Sequence, residues 1–262
     1  MDLLSSHTVF FSPTHTSAKI ARAITHGIAA PASEETDLTC DLSDSPILIR
    51  ENVAVIAAPV YAGRVAPVAL KRLGRLRGNN TPAILAVVYG NRDYEDALVE
   101  LRDAVTAQGF VPLSAGAFIG EHSYSRPDMP VAAGRPDADD LMAAGDFGLR
   151  SAEKFRKIRS TEDIRPFFIK GNTPYREVKP SIPAAPVTQT ELCLSCGQCV
   201  ECCPTRAIVM DEEGSPQTDA GLCIKCCACV KDCSQGARVF DTPFTAMLHT
   251  HFSAPRTPEW FL

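Results

Sequence analysis

The chain is poor in tryptophan, in net charge and in long apolar runs. Trp260 is its single tryptophan, aromatic residues make up 7% and charged residues 22% of the 262 positions. A formal net charge of −5 removes the basic footprint that nucleic-acid binding requires. No apolar stretch reaches the roughly 20 residues that cross a bilayer, so no membrane association is expected. The opening "MDLLSSHTVFFS" has neither a basic start nor a sustained apolar segment, and no secretory leader is expected. No G-x-G-x-x-G follows an apolar run, which argues against a nicotinamide-binding turn. These absences lead to the expectation of a cytoplasmic protein, in a compartment where disulfide frameworks are rare.

Cysteine, by contrast, is abundant and unevenly placed. Ten of the eleven cysteines lie between Cys193 and Cys233. In "CLSCGQCVECCP", Cys193, Cys196, Cys199 and Cys203 are spaced C-x2-C-x2-C-x3-C and followed by Pro204. "CIKCCACVKDC" repeats the spacing 30 residues on with Cys223, Cys226, Cys229 and Cys233, Ser234 standing where the proline would fall. Paired C-x2-C motifs also build zinc sites, but zinc gives no reason for a third cysteine and then a fourth, twice. The duplicated spacing suits iron–sulfur cubes, because three thiolates on a tight loop wrap three corners of one cube. Cys202, Cys227 and the isolated Cys40 fall outside the spacing and read as small buried apolar residues.

This pattern resembles bacterial-type ferredoxins, small α+β modules with two [4Fe–4S] clusters. The resemblance implies crossed ligation: Cys193, Cys196, Cys199 and Cys233 on one cluster, Cys223, Cys226, Cys229 and Cys203 on the other.

Upstream, apolar runs alternate with amphipathic stretches. "TVFF" (8–11), "VAVIAAPV" (53–60), "AILAVVYG" (83–90) and "VPLSAGAFIG" (111–120) read as buried strands, with a weaker one around Cys40 in "DLTCDLSD". Helices are expected around Ile20, Ile24 and Ile28, from Pro67, across Leu98, Leu101 and Val105, and from about Asp139 to Ile158. Such alternation predicts an α/β doubly wound parallel sheet of five strands, with its ligand outside the carboxyl ends of the strands.

Three loops leave those ends: Ser12–Ser17, "PVYAGRV" (59–65) and "YGNRDY" (89–94). They resemble the cofactor loops of flavodoxins, whose sheet order is 2-1-3-4-5. The resemblance implies FMN, with Ser12, Thr14, Thr16 and Ser17 on its phosphate and His15 in a left-handed position usually given to glycine, its ring free to lie against the phosphate. Tyr61 and Tyr89 are the candidates for flanking the flavin ring, with Pro59, Gly63, Arg64, Gly90, Asn91 and Tyr94 around it. Arg92 is a further candidate for favouring a reduced flavin, and His122, Ser123 and Tyr124 follow the last strand, facing flavin or substrate.

The whole chain then resembles a flavodoxin–ferredoxin fusion of the kind found in anaerobes. The expected organisation is an FMN domain over 1–160, a proline-rich linker over 161–190, a ferredoxin domain over 191–241 and a tail over 242–262 packing back. Residues 191–241 hold eight acidic against four basic side chains, and the basic run Lys71, Arg72, Arg75 and Arg77 is the patch available to meet them. The resemblance implies an electron-transfer iron–sulfur flavoprotein with a redox protein as donor or acceptor. The alternatives are a flavin-dependent oxidoreductase acting on a small organic substrate or quinone, and a redox sensor.

Overall fold

The structure is a computed structural model that describes residues 1–178 and 182–262. Its centre is a parallel sheet built from β1 (Ser5–Phe10), β2 (Ala32–Asp37), β3 (Val53–Tyr61), β4 (Thr81–Tyr89) and β5 (Phe110–Ile119). Their spatial order is β2-β1-β3-β4-β5, all parallel, the order of flavodoxin-like doubly wound sheets. Strand β4 is buried along its whole length, as is β3 up to Pro59, which is why both read as unbroken apolar runs.

Helices cover both faces. On one, α1 (Thr16–Ile28) lies against α4 (Ala138–Lys157), burying Ile20, Ile24, Ile28, Phe147 and Phe155. The two backbones nearly touch. A Cβ at Gly148 would stand 2.1 Å from the Ile24 carbonyl oxygen, so glycine there sets the helix separation. On the other face, α2 (Pro67–Leu73) and α3 (Ala97–Thr106) bury Leu73, Leu98, Leu101 and Val105. Each such side chain contributes about 1.5–3 kcal/mol on leaving water.

The second strand departs from the expectation. It runs over "ASEETD", largely exposed, and ends before Cys40. As the sheet's edge it pairs only with β1 and needs no apolar pattern. The Asp37 carboxylate then accepts from the Thr39 N–H at 2.7 Å, turning the chain away. His7, on β1, helps hold this edge: its Nε2 lies 2.8 Å from the Thr36 hydroxyl and its Nδ1 3.0 Å from Glu51.

The proline-rich stretch after α4 is irregular but pinned rather than loose. The buried carboxylate of Asp96 accepts from the Asn172 N–H and side-chain amide, each at 2.8 Å, and from the Arg176 N–H at 2.7 Å. Ile169, Phe167 and Tyr175 pack on the α3 face. Residues 179–181 of the expected linker lie outside the described residues.

The cysteine-rich segment contains β6 (Val187–Thr188), α5 (Gln198–Glu201), β7 (Ile208–Met210), β8 (Pro216–Thr218), α6 (Ala228–Lys231) and β9 (Arg238–Val239). Strands β7 and β8 form one antiparallel pair, β6 and β9 the other. The sequence duplication recurs in the backbone. Ser195, Gly197 and Arg206 have left-handed φ values of 51°, 77° and 51°, and Lys225, Cys227 and Gly236, each 30 residues on, have 57°, 59° and 63°.

Helix α7 (Pro243–Phe252) and strand β10 (Glu259–Phe261) complete the chain. Strand β10 adds antiparallel to β5, covering what would be an open edge, and Trp260 stacks on Phe147 at 5.9 Å. Among the described residues no helix is long and apolar enough to cross a membrane.

Candidate functional site

The loop from β1 into α1 ends at a helix N-terminus with hydroxyl side chains around it. His15 adopts φ 65°, and α1 has no acidic residue in its first turn to offset the positive end of its dipole. The Ser12 hydroxyl accepts from the Ala18 N–H at 3.0 Å, while the Ser12 N–H donates to Thr39 at 2.8 Å. The buried Ser17 hydroxyl has no hydrogen-bond partner among the described residues. A sealed-in hydroxyl without a partner costs about 1–3 kcal/mol, so a ligand that engages it recovers that energy.

Beside this loop opens a cavity of about 490 Å³. Ser12, Thr14, Thr16 and Ser17 line one part of it, Pro59 and Tyr61 arrive from the end of β3, and Tyr89, Gly90 and Arg92 from the end of β4. His122, Ser123 and Tyr124 come from the loop after β5. The carboxyl ends of the parallel strands thus converge where the strand order reverses between β1 and β3.

Five residues expected around this cofactor turn elsewhere. The exposed His15 imidazole points out to the cysteine-rich segment, its Nε2 lying 3.2 Å from Asp232, because the left-handed backbone directs it away from the loop's interior. Arg64 bonds Glu100 and lies over the Tyr175 ring at 4.5 Å, on the α3 side. Gly63 sits against Glu95, and its carbonyl accepts from the Asp96 N–H at 3.0 Å. The Asn91 amide donates to the carbonyls of Phe252 and Ala254 at 2.5 and 2.9 Å, fastening the tail. Tyr94 is fully buried, its hydroxyl donating to Glu259 at 2.8 Å. In each case a partner from a distant element supplies a better-satisfied bond than a cavity would.

The cavity also has walls that no loop motif announces. Ile224 and Lys225 reach it from the cysteine-rich segment, and Phe244, Met247 and Leu248 from α7. Ile224 and Lys225 belong to "CIKCCACVKDC", whose spacing speaks for a cluster and not for this cavity, and "FTAMLHTHF" carries no cofactor signal.

Two smaller cavities lie within the cysteine-rich segment. Cys193, Cys196, Cys199 and Cys233 line one; Cys203, Cys223, Cys226, Cys227 and Cys229 line the other. Each therefore gathers cysteines from both runs: three and one in the first, four and one in the second. Cys202 lines neither cavity, its Sγ 3.7 Å from the Cys199 carbonyl, and Cys227, at the second, has its Sγ 3.7 Å from the Lys225 carbonyl. Cys227 takes the left-handed place that Gly197 takes in the first repeat. Cys40, expected to be buried, is exposed, with Sγ 3.8 Å from the Glu201 carbonyl, because the strand it was placed in ends three residues earlier.

The second of these cavities shares Ile224 with the large one. Around that wall the two halves are tied by specific contacts. Lys231 bridges to Glu121 at 2.5 Å and to the Ser125 carbonyl at 2.8 Å. The rings of Tyr124 and Phe240 meet edge to face at 5.3 Å. Of the basic run on and after α2, Arg72 makes the connection, donating to the Pro204 carbonyl at 2.5 Å, while Arg75 and Arg77 bond locally to Asp41 and Gln108.

Charge states follow from these surroundings. Burial, helped by the charges of Lys231 and Arg92, pushes His122 down to about 4. For Glu121, burial is outweighed by the hydrogen bonds from Lys231 and the Gly134 N–H, and its carboxyl is held below the usual range. Burial, then the nearby cysteines, raise the Tyr124 hydroxyl, which stays protonated.

No family model matches the sequence, and no curated protein matches it. Among solved structures, a flavodoxin from the domain Archaea is similar at 12% identity, covering 58% of this chain and 99% of that one, with a TM-score of 0.40. The oxidised flavodoxin 1 of Bacillus cereus is similar at 13% identity, 60% and 99% coverage and a TM-score of 0.41. Rubredoxin oxygen:oxidoreductase from Desulfovibrio gigas, an anaerobe, gives 12%, 58%, 36% and 0.42 on the same measures.

Proposed function

We propose that the chain is an electron-transfer iron–sulfur flavoprotein that holds FMN in the large cavity and two [4Fe–4S] clusters in the cysteine-lined ones. The observation that carries this reading is that Ile224 lines both the large cavity and the one lined by Cys203, Cys223, Cys226 and Cys229. When bound, the clusters supply one-electron exchange and the flavin one- or two-electron exchange.

The residues present fit these groups. Ser12, Thr14, Thr16 and Ser17, with the N–H groups opening α1, are the donors for a terminal phosphate, and the unpartnered Ser17 hydroxyl supports that assignment. Tyr61 and Tyr89 offer aromatic walls for a flat ring. Four cysteines at the repeat spacing line each small cavity, with Cys227 as a fifth at the second and no histidine or carboxylate at either among the described residues, a donor set that suits iron–sulfur cubes. The set containing exposed Cys196 faces solvent more openly than the set containing buried Cys226 and Cys229. The excess of acidic over basic side chains across residues 191–241, eight against four, favours a redox protein with a basic face as external donor or acceptor.

Anaerobic isolation tests this directly. The expected content is about eight irons and one FMN per chain, from two four-iron clusters. Stoichiometric zinc, or no flavin after supplementation, overturns the reading. The apolar side chains of Phe244, Met247 and Leu248 lining the large cavity favour a second reading, an oxidoreductase for a small organic substrate or quinone. Substrate-dependent reoxidation of the reduced protein distinguishes it from a pure carrier.

A further inference from the structure

The loop after β5 brings His122 into the large cavity, against Gly90. A Cβ at position 90 would stand 2.4 Å from His122 Cδ2, so the imidazole takes the space that any other residue there would fill. The backbone N–H of Tyr124 donates to Nδ1 at 3.0 Å. An accepting ring nitrogen carries no proton, so in neutral imidazole the proton sits on Nε2. Among the described residues Nε2 has no protein partner and is not a sealed-in polar atom, which leaves it opening on the cavity. The ring is braced edge to face on Tyr124 at 5.1 Å.

The groups around it keep it uncharged. Lys231 on α6 and Arg92 after β4 both disfavour a second proton, and burial acts in the same direction. Glu121, next in sequence and the obvious counter-charge, is engaged by Lys231.

We propose that His122 donates a hydrogen bond from Nε2 to an acceptor atom of the flavin, as a neutral donor of fixed tautomer. This rests on the reading of the cavity as an FMN site. A donor of this kind has no proton to release and no charge to lose between pH 5.5 and 8. Its contribution to binding is therefore constant over that range, unlike that of a histidinium.

The test uses cluster-loaded protein stripped of flavin, with FMN titrated anaerobically at pH 5.5 and pH 8 and followed by flavin fluorescence. His122→Phe keeps a ring against Tyr124 and removes the donor; it should weaken FMN binding about tenfold. His122→Gln places an amide N–H at similar reach and should bind within about threefold of wild type. The ratio of variant to wild-type Kd should be the same at both pH values, which cancels the titration of the FMN phosphate itself. Wild-type affinity in the Phe variant, a Gln variant as weak as Phe, or a ratio that shifts with pH overturns the proposal alone. Failure of the wild type to bind FMN overturns the flavin reading with it.

Discussion

The cysteine repeat and the sheet's loops specify their sites in different ways. In the repeat, donors three residues apart on tight turns are held together by local geometry, and the same left-handed positions recur 30 residues on. In the sheet, the cavity collects residues from loops tens of residues apart, and nearby side chains of the same types do other work. Tyr89 lines the cavity, while Tyr94, its ring 5.5 Å away, is a core residue tied to the tail. Arg92 faces the cavity, while Arg64 faces α3. A thiol spacing restricts what the chain can do; a tyrosine in a loop does not.

The largest expected effect breaks the repeat across its halves. Cys203→Ala should cost the cluster whose other three ligands are Cys223, Cys226 and Cys229, removing about four irons. Electron paramagnetic resonance assigning the loss to the Cys193 set instead would show that each run binds its own cube. On the sheet side, His122 contributes a slope in stability against pH. Its folded value lies near 4, below the ordinary 6.5, so the unfolded chain binds the extra proton between those values and stability falls as pH drops from 6.5 to 4. The contribution is about 3 kcal/mol, and thermal unfolding of His122→Phe should lack that part of the slope. Ser17→Ala is expected to raise the FMN Kd about thirtyfold, by removing a hydroxyl bonded to a charged phosphate, with unfolding temperature unchanged or slightly raised. An unaltered Kd would place the phosphate elsewhere. The smallest effect joins the two regions: Lys231→Met, which cuts the tie to Glu121 and Ser125, should cost about 1 kcal/mol in chemical denaturation. A loss several times larger would mean that the two regions fold as one unit.

Within the sheet, legibility followed burial. Strands β3 and β4 announce themselves because both faces are covered, and α1 does so through Ile20, Ile24 and Ile28. Strand β2 was misplaced because an edge open to water imposes no apolar pattern on "ASEETD". The loop from Ser12 to Ser17 was legible as a strand-to-helix turn because small hydroxyl residues favour such turns. His15 was read correctly for its backbone and wrongly for its ring, since the φ value depends on the local turn but the ring's partner, Asp232, lies 217 residues away.

By itself, then, the sequence determined what short-range forces decide: which runs bury, where helices start, and which cysteines stand at ligand spacing. Tertiary structure alone decided which loop side chains share a cavity, that Ile224 lines both that cavity and one lined by cysteines, and that α7 supplies further apolar lining. Those contacts join residues far apart in the chain, and no local pattern encodes them, because a side chain settles against the best partner the whole fold brings within reach.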